Sequence, residues 1–112
     1  MNTLYYKFQF SIGFNDKDEK IQILTDEEII EKIEDITLKI LEFWTLSDIN
    51  KWIYKHEDWT KITEKSLNVE RLTDDKFIDI NTKVNAFVKA IKKALNQESV
   101  LVSYTRERAN FQ

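Results

Sequence analysis

The stretch from Phe77 to Tyr104 constrains the fold more than any other. Phe77, Ile80, Val84, Phe87, Val88, Ile91, Ala94 and Leu95 recur at steps of three and four, which is one apolar face of an α-helix. Asn96-Gln97 breaks that period. Val100, Val102 and Tyr104 then follow at steps of two, which is one face of a strand. The rest of the chain has to pack against this helix–strand pair.

Upstream, Leu4, Tyr6, Phe8, Phe10 and Ile12 alternate with Tyr5, Lys7, Gln9 and Ser11, so a first strand with one large apolar face ends at Gly13. A polar loop, residues 15–20, follows, and Ile21, Ile23 and Leu24 are expected to bring the chain back to the body. Thr25 and Glu28 have the spacing of a capping box, with Asp26 and Glu27 at the positive end of the helix dipole. Ile29, Ile33, Ile36, Ile40 and Phe43 or Trp44 carry a first helix over about 25–43, with Glu31, Lys32, Glu34, Asp35, Lys39 and Glu42 outside.

Residues 45–72 read as a hairpin. Its arms span about 47–54 and 60–72, with a turn at His56-Glu57-Asp58. Ile62 is out of phase with Leu67 and Val69, which predicts a bulge or twist between them. Thr73-Asp74-Asp75 offers caps for a second helix over about 75–95, and a last strand covers about 98–105. The order strand, helix, strand, strand, helix, strand predicts one α+β domain, residues 1–112. The expected fold is ferredoxin-like βαββαβ, a four-stranded antiparallel sheet with two helices on one face. The opposite face, with Tyr5, Lys7, Gln9, Ser66, Asn68, Ser103 and Thr105, is then polar.

Against this frame, chemistry-bearing motifs are scarce. There is no cysteine, so no thiolate metal site, nucleophile or disulfide, which fits a reducing compartment. The single glycine excludes a glycine-rich phosphate loop, and the serines at 11, 47, 66, 99 and 103 lack a nucleophile-elbow context. His56, the one histidine, sits in a turn without an orienting partner. Asp16, Asp18 and Glu27 match three EF-hand positions, but Lys20 and Ile21 stand where an oxygen ligand and the glycine belong. Carboxylate pairs such as Glu27/Glu31, Glu31/Asp35 and Asp74/Asp75 read as solvated helix surface. No cofactor, metal or catalytic residue is expected, and the chain reads as a non-enzyme.

Charge is uneven. Residues 1–50 carry 11 acidic and 5 basic side chains, and residues 51–112 carry 9 and 12. The acidic first helix and the basic end of the second are expected to lie side by side. Lys83, Lys89, Lys92 and Lys93, with Arg106 and Arg108, give a weak foothold for nucleic acid under a net charge of −3, so direct nucleic-acid binding is disfavoured. No stretch approaches a membrane span, and the N-terminus lacks a basic segment followed by an apolar run, so a cytoplasmic protein is expected.

The sharpest interaction candidates are Trp52, Tyr54 and Trp59 around the hairpin tip, because large aromatics are costly to leave in water and are enriched at interface hot spots. The other reading folds them onto the end of the first helix near Phe43 and Trp44. Glu31, Glu34 and Asp35 offer an acidic binding face.

The segments 11–18, 53–58, 67–70 and 96–102 (SIGFNDKD, IYKHED, LNVE and NQESVLV) resemble segments of uncharacterised small proteins carried by phages and other mobile elements. Where such relatives would have glycines around the hairpin, this chain has Lys51, Trp52 and Trp59. The resemblance implies a mobile-element setting and, for a phage-encoded chain, the host cytoplasm. The excluded chemistries and the Trp-rich hairpin point to a non-catalytic protein-binding module, and the mobile-element setting implies an inhibitor of a host defence complex of the anti-CRISPR kind. The expected partner is then a host protein or protein–nucleic acid complex, engaged through the hairpin aromatics or the acidic helix face. The alternatives are a self-associating structural or regulatory protein, which would form a homodimer, and a weak nucleic-acid-binding domain.

Overall fold

A computed structural model describes residues 3–41, 45–46, 50–55, 61–73 and 77–109. The elements are β1 (Thr3–Gly13), α1 (Asp26–Ile40), β2 (Thr45–Leu46), β3 (Asn50–Lys55), β4 (Lys61–Thr73), α2 (Phe77–Ala94) and β5 (Leu101–Ala109). The chain is α+β, with two helices and an antiparallel sheet.

Three long strands make the body of that sheet. β1 pairs with β4 on one side, from Tyr6–Thr73 to Gly13–Ser66, and with β5 on the other, from Thr3–Ala109 to Ser11–Leu101. Where a fourth strand was expected over about 47–54, the described residues form no single long strand. Two short segments, β2 and β3, pair in turn along the other edge of β4 instead. β2 pairs Thr45 with Glu70 and Leu46 with Val69, while β3 pairs Asn50 with Ser66 and Lys55 with Lys61. The two registers differ by one residue, and the step falls opposite Leu67 and Asn68. The bulge expected between Ile62 and Leu67 is not found: β3 pairs with β4 in one unbroken register from Lys61 to Ser66, and the step comes after it.

One face of the sheet and both helices share a single core. Phe8, Phe10 and Ile12 of β1, Leu67 and Val69 of β4, Ile29 and Ile33 of α1, and Ile80, Val84, Phe87 and Ile91 of α2 are all buried in it. The rings of Phe10 and Phe87 meet with centroids 4.6 Å apart. The core face of β4 continues beyond Val69 as Arg71 and Thr73, both buried. The opposite sheet face is polar as expected: Ser11 donates to Asn68 at 2.8 Å, and Lys7 lies 3.8 Å from Glu70.

The helix ends follow local chemistry. At α1, Glu28 N–H donates to Thr25 Oγ1 and Thr25 N–H to Glu28 Oε1, each at 3.2 Å, which is the capping box read from the sequence. The helix stops at Ile40 with Leu41 as its cap, short of Phe43 and Trp44, which lie outside the described residues. Asn96, at φ 49°, ends α2 in the left-handed region, and Gln97 N–H reaches back to Lys92 O at 2.9 Å, a Schellman closure. Asp74 and Asp75, proposed as caps, lie outside the described residues. The last strand begins at Leu101 rather than about 98.

One expectation about packing is corrected in part: Leu24 packs against the core, but Ile21 and Ile23 remain exposed. α1 and α2 are in contact, and Asp26 of α1 pairs with Lys65 of β4 at 2.9 Å.

Candidate functional site

α2 carries a second stripe beside its buried one. Asn81, Asn85 and Lys89 are four apart, and Val88 and Lys92 join them on the same flank. Because Ile80, Val84, Phe87 and Ile91 are pinned against the sheet, this flank is turned toward β5. Between them lies an open groove of about 450 Å³, lined by Phe8, Asn81, Val84, Asn85, Val88, Lys89, Lys92, Val102 and Tyr104. Its size and its mixture of apolar walls and few polar groups suit a small-molecule seat.

The groove has two unlike ends. Phe87 touches Phe10, and Phe14 shares a hollow with Leu95, so α2 runs antiparallel to the cross-sheet direction from Phe14 back to Phe8. Phe8 pairs with Tyr104, and Phe10 with Val102. Tyr104 and Phe8 therefore lie toward Asn81 and Asn85, and Val102 lies toward Lys89 and Lys92. One end is aromatic and carboxamide; the other is cationic. From Asn81 to Lys92 the helix rises about 16 Å.

The aromatic end extends beyond the groove. Tyr104 stacks near Phe8 with centroids 5.6 Å apart and near Tyr6 at 6.2 Å. The Arg106 guanidinium lies 5.5 Å from the Tyr6 ring centre, within cation–π range. Tyr104 is still 54% exposed, so a large aromatic surface is open to a ligand. A flat heterocycle can stack there, carboxamides can bind hydroxyl or ring-nitrogen groups, and the lysines can pair with an anion.

Of the residues singled out from the sequence as a binding surface, three have described side chains. Glu31, Glu34 and Asp35 are exposed on the outer face of α1. Trp52 and Tyr54 belong to β3, where the description covers the backbone alone, and Trp59 and His56 lie outside the described residues. Of the groove residues, Lys89 and Lys92 had been noticed as a basic foothold and Tyr104 as part of the last strand's apolar face. Asn81 and Asn85 were missed, although their spacing to Lys89 was a readable helical stripe.

The loop with partial EF-hand spacing has another role. The Asp16 carboxylate accepts from Asn96 Nδ2 at 2.7 Å and from the backbone N–H groups of Asp18 and Glu19 at 2.9 and 3.0 Å. The Asn96 amide, with the Glu19 N–H second, holds the Asp16 carboxyl below its ordinary 3.8. Its oxygens serve to tie the loop to the end of α2. Among the described residues no group of three histidine, cysteine or acidic side chains is placed to hold a metal.

No protein-family profile and no curated protein matches the sequence. Solved structures do match. A phage SAM lyase in complex with S-methyl-5′-thioadenosine is 18% identical over 94% of this chain and 90% of its own, with a TM-score of 0.68. The apo state of a phage SAM lyase is 19% identical over 99% and 93%, with a TM-score of 0.67. This is a likeness of fold, to a phage-encoded enzyme, over nearly the whole of both chains.

It corrects the expectation drawn from the absence of motifs. The fold is one that an enzyme uses, so a non-catalytic interaction module, and the anti-CRISPR-like inhibitor built on it, does not stand. The residues that line the groove come from three separate elements, so no linear motif could announce them.

Proposed function

We propose that this chain is a phage-type S-adenosylmethionine lyase on a ferredoxin-like βαββαβ scaffold. The observation that carries the reading is the shared fold with a phage SAM lyase over nearly the whole of both chains, one of the two structures holding S-methyl-5′-thioadenosine. The groove between α2 and β5 supports it independently, because its parts suit the parts of that ligand. The Tyr104 ring offers a stacking surface for adenine, and Asn81 and Asn85 offer donors and acceptors for the ring edge or ribose.

The reaction class follows from the product. Release of S-methyl-5′-thioadenosine breaks the bond between the sulfonium sulfur and the γ-carbon of the methionyl chain. A carboxylate oxygen of the same substrate can attack that carbon and form a five-membered lactone. The electron pair of the broken bond goes to sulfur, which becomes a neutral thioether, and the ammonium stays on the lactone. No water and no proton transfer is needed, so the step asks no base of a groove lined by amide, lysine, aromatic and aliphatic groups. Catalysis then consists of holding the methionyl chain folded with carboxylate and γ-carbon in contact, an intramolecular reaction of the kind that gains most from orientation.

The test is incubation of the purified protein with S-adenosylmethionine in ¹⁸O-water, followed by mass spectrometry. The reading expects methylthioadenosine and unlabelled homoserine lactone. Recovery of intact substrate after prolonged incubation would overturn it.

A further inference from the structure

We infer that Lys89 and Lys92 are the seat of the substrate's α-carboxylate and so set which adenosyl compounds the groove accepts. The inference rests on the S-adenosylmethionine reading and adds to it an orientation and a specificity. The groove is polar along its length, with Tyr104 toward Asn81 and Val102 toward the two lysines. The substrate is polar in the same sense. Its nucleoside end is neutral and flat, and its far end is an amino-acid zwitterion whose carboxylate is the only anionic group it has. Lys89 and Lys92 are the charged side chains of the groove's described lining. They are three apart, so both lie on one flank of the helix, at the Val102 end of the groove they line. Both are exposed, so their attraction acts through water and falls as salt rises.

The consequence is discrimination. An adenosyl compound with a carboxylate gains from the lysine end, and one without it binds through the nucleoside alone. Holding the carboxylate also restricts where the attacking oxygen can swing.

Two stable probes separate the ends. S-adenosylhomocysteine carries the nucleoside and the carboxylate, and methylthioadenosine carries the nucleoside alone. Calorimetric titration of the wild type and of the Lys89→Gln/Lys92→Gln variant with both should show a split. The variant should lose at least about fivefold in affinity for S-adenosylhomocysteine at low salt and less than about twofold for methylthioadenosine. The split should narrow at high salt. If methylthioadenosine binds and the variant holds S-adenosylhomocysteine as well as the wild type does, the lysines do not seat the carboxylate, and the lyase reading survives. Equal weakening of both probes likewise overturns the assignment. If methylthioadenosine does not bind the wild type, the lyase reading falls and the inference falls with it.

Discussion

Phe87 and Tyr104 illustrate how far a side chain's position in a pattern determines its role. Both belong to apolar periods, and both were expected to be inside. Phe87 is fully buried against Phe10, as its helical period requires. Phe87→Ala should cost about 3–5 kcal/mol, read from urea denaturation, because the cavity it leaves is walled by rigid sheet and helix. Near-wild-type stability would mean that α2 is rotated from the arrangement described. Tyr104 alternates correctly with Val102, yet it is 54% exposed, because the flank of α2 opposite it carries Asn81 and Asn85 rather than bulky apolar groups. Tyr104→Ala should leave the melting temperature within a few degrees and lower methylthioadenosine affinity at least about fivefold, since a stacked base contributes about 1–3 kcal/mol. A variant that unfolds but binds normally would reverse these roles. Arg71 and Thr73 show the converse limit: they occupy core-face positions of β4 and are buried, but their chemistry ended the apolar signal at Val69.

Among the elements, those fixed by local chemistry were legible. Thr25 and Glu28 announced the start of α1, and Asn96 announced the end of α2, because caps are satisfied by neighbours in sequence. The edge beyond β4 was not, since an interrupted strand and a continuous one share the same alternation. Polar bonds between elements also lie beyond a linear reading. Asp26 is held below its ordinary 3.8, first by the Gln22 amide at 2.6 Å and then by Lys65, and Asp16 by Asn96. Since the folded value lies below the unfolded one, each carboxylate contributes stability that is complete above the unfolded value and disappears as pH falls through the folded one. The stability gap between wild type and Asp26→Asn should therefore be largest near pH 7 and shrink below about pH 4, measured by urea melts across that range. A gap unchanged between pH 7 and pH 2 would show that the charge of Asp26 takes no part.

For the molecule as a whole, the arrangement of two helices on one face of an antiparallel sheet was written in periodicities of three to four and two. The groove was not. The groove draws Phe8 from β1, an asparagine–lysine stripe from α2, and Val102 and Tyr104 from β5, residues that are far apart in sequence and form no motif. Of what the sequence did offer, the acidic face of α1 is not part of that groove's described lining. Whether the groove between α2 and β5 seats the nucleoside of S-adenosylmethionine is decided by a crystal of the protein grown with methylthioadenosine. The expected density is adenine stacked on Tyr104, with the thioether pointing along α2 toward Lys89 and Lys92. Nucleoside density on the opposite, polar face of the sheet, with the groove empty, would overturn the assignment.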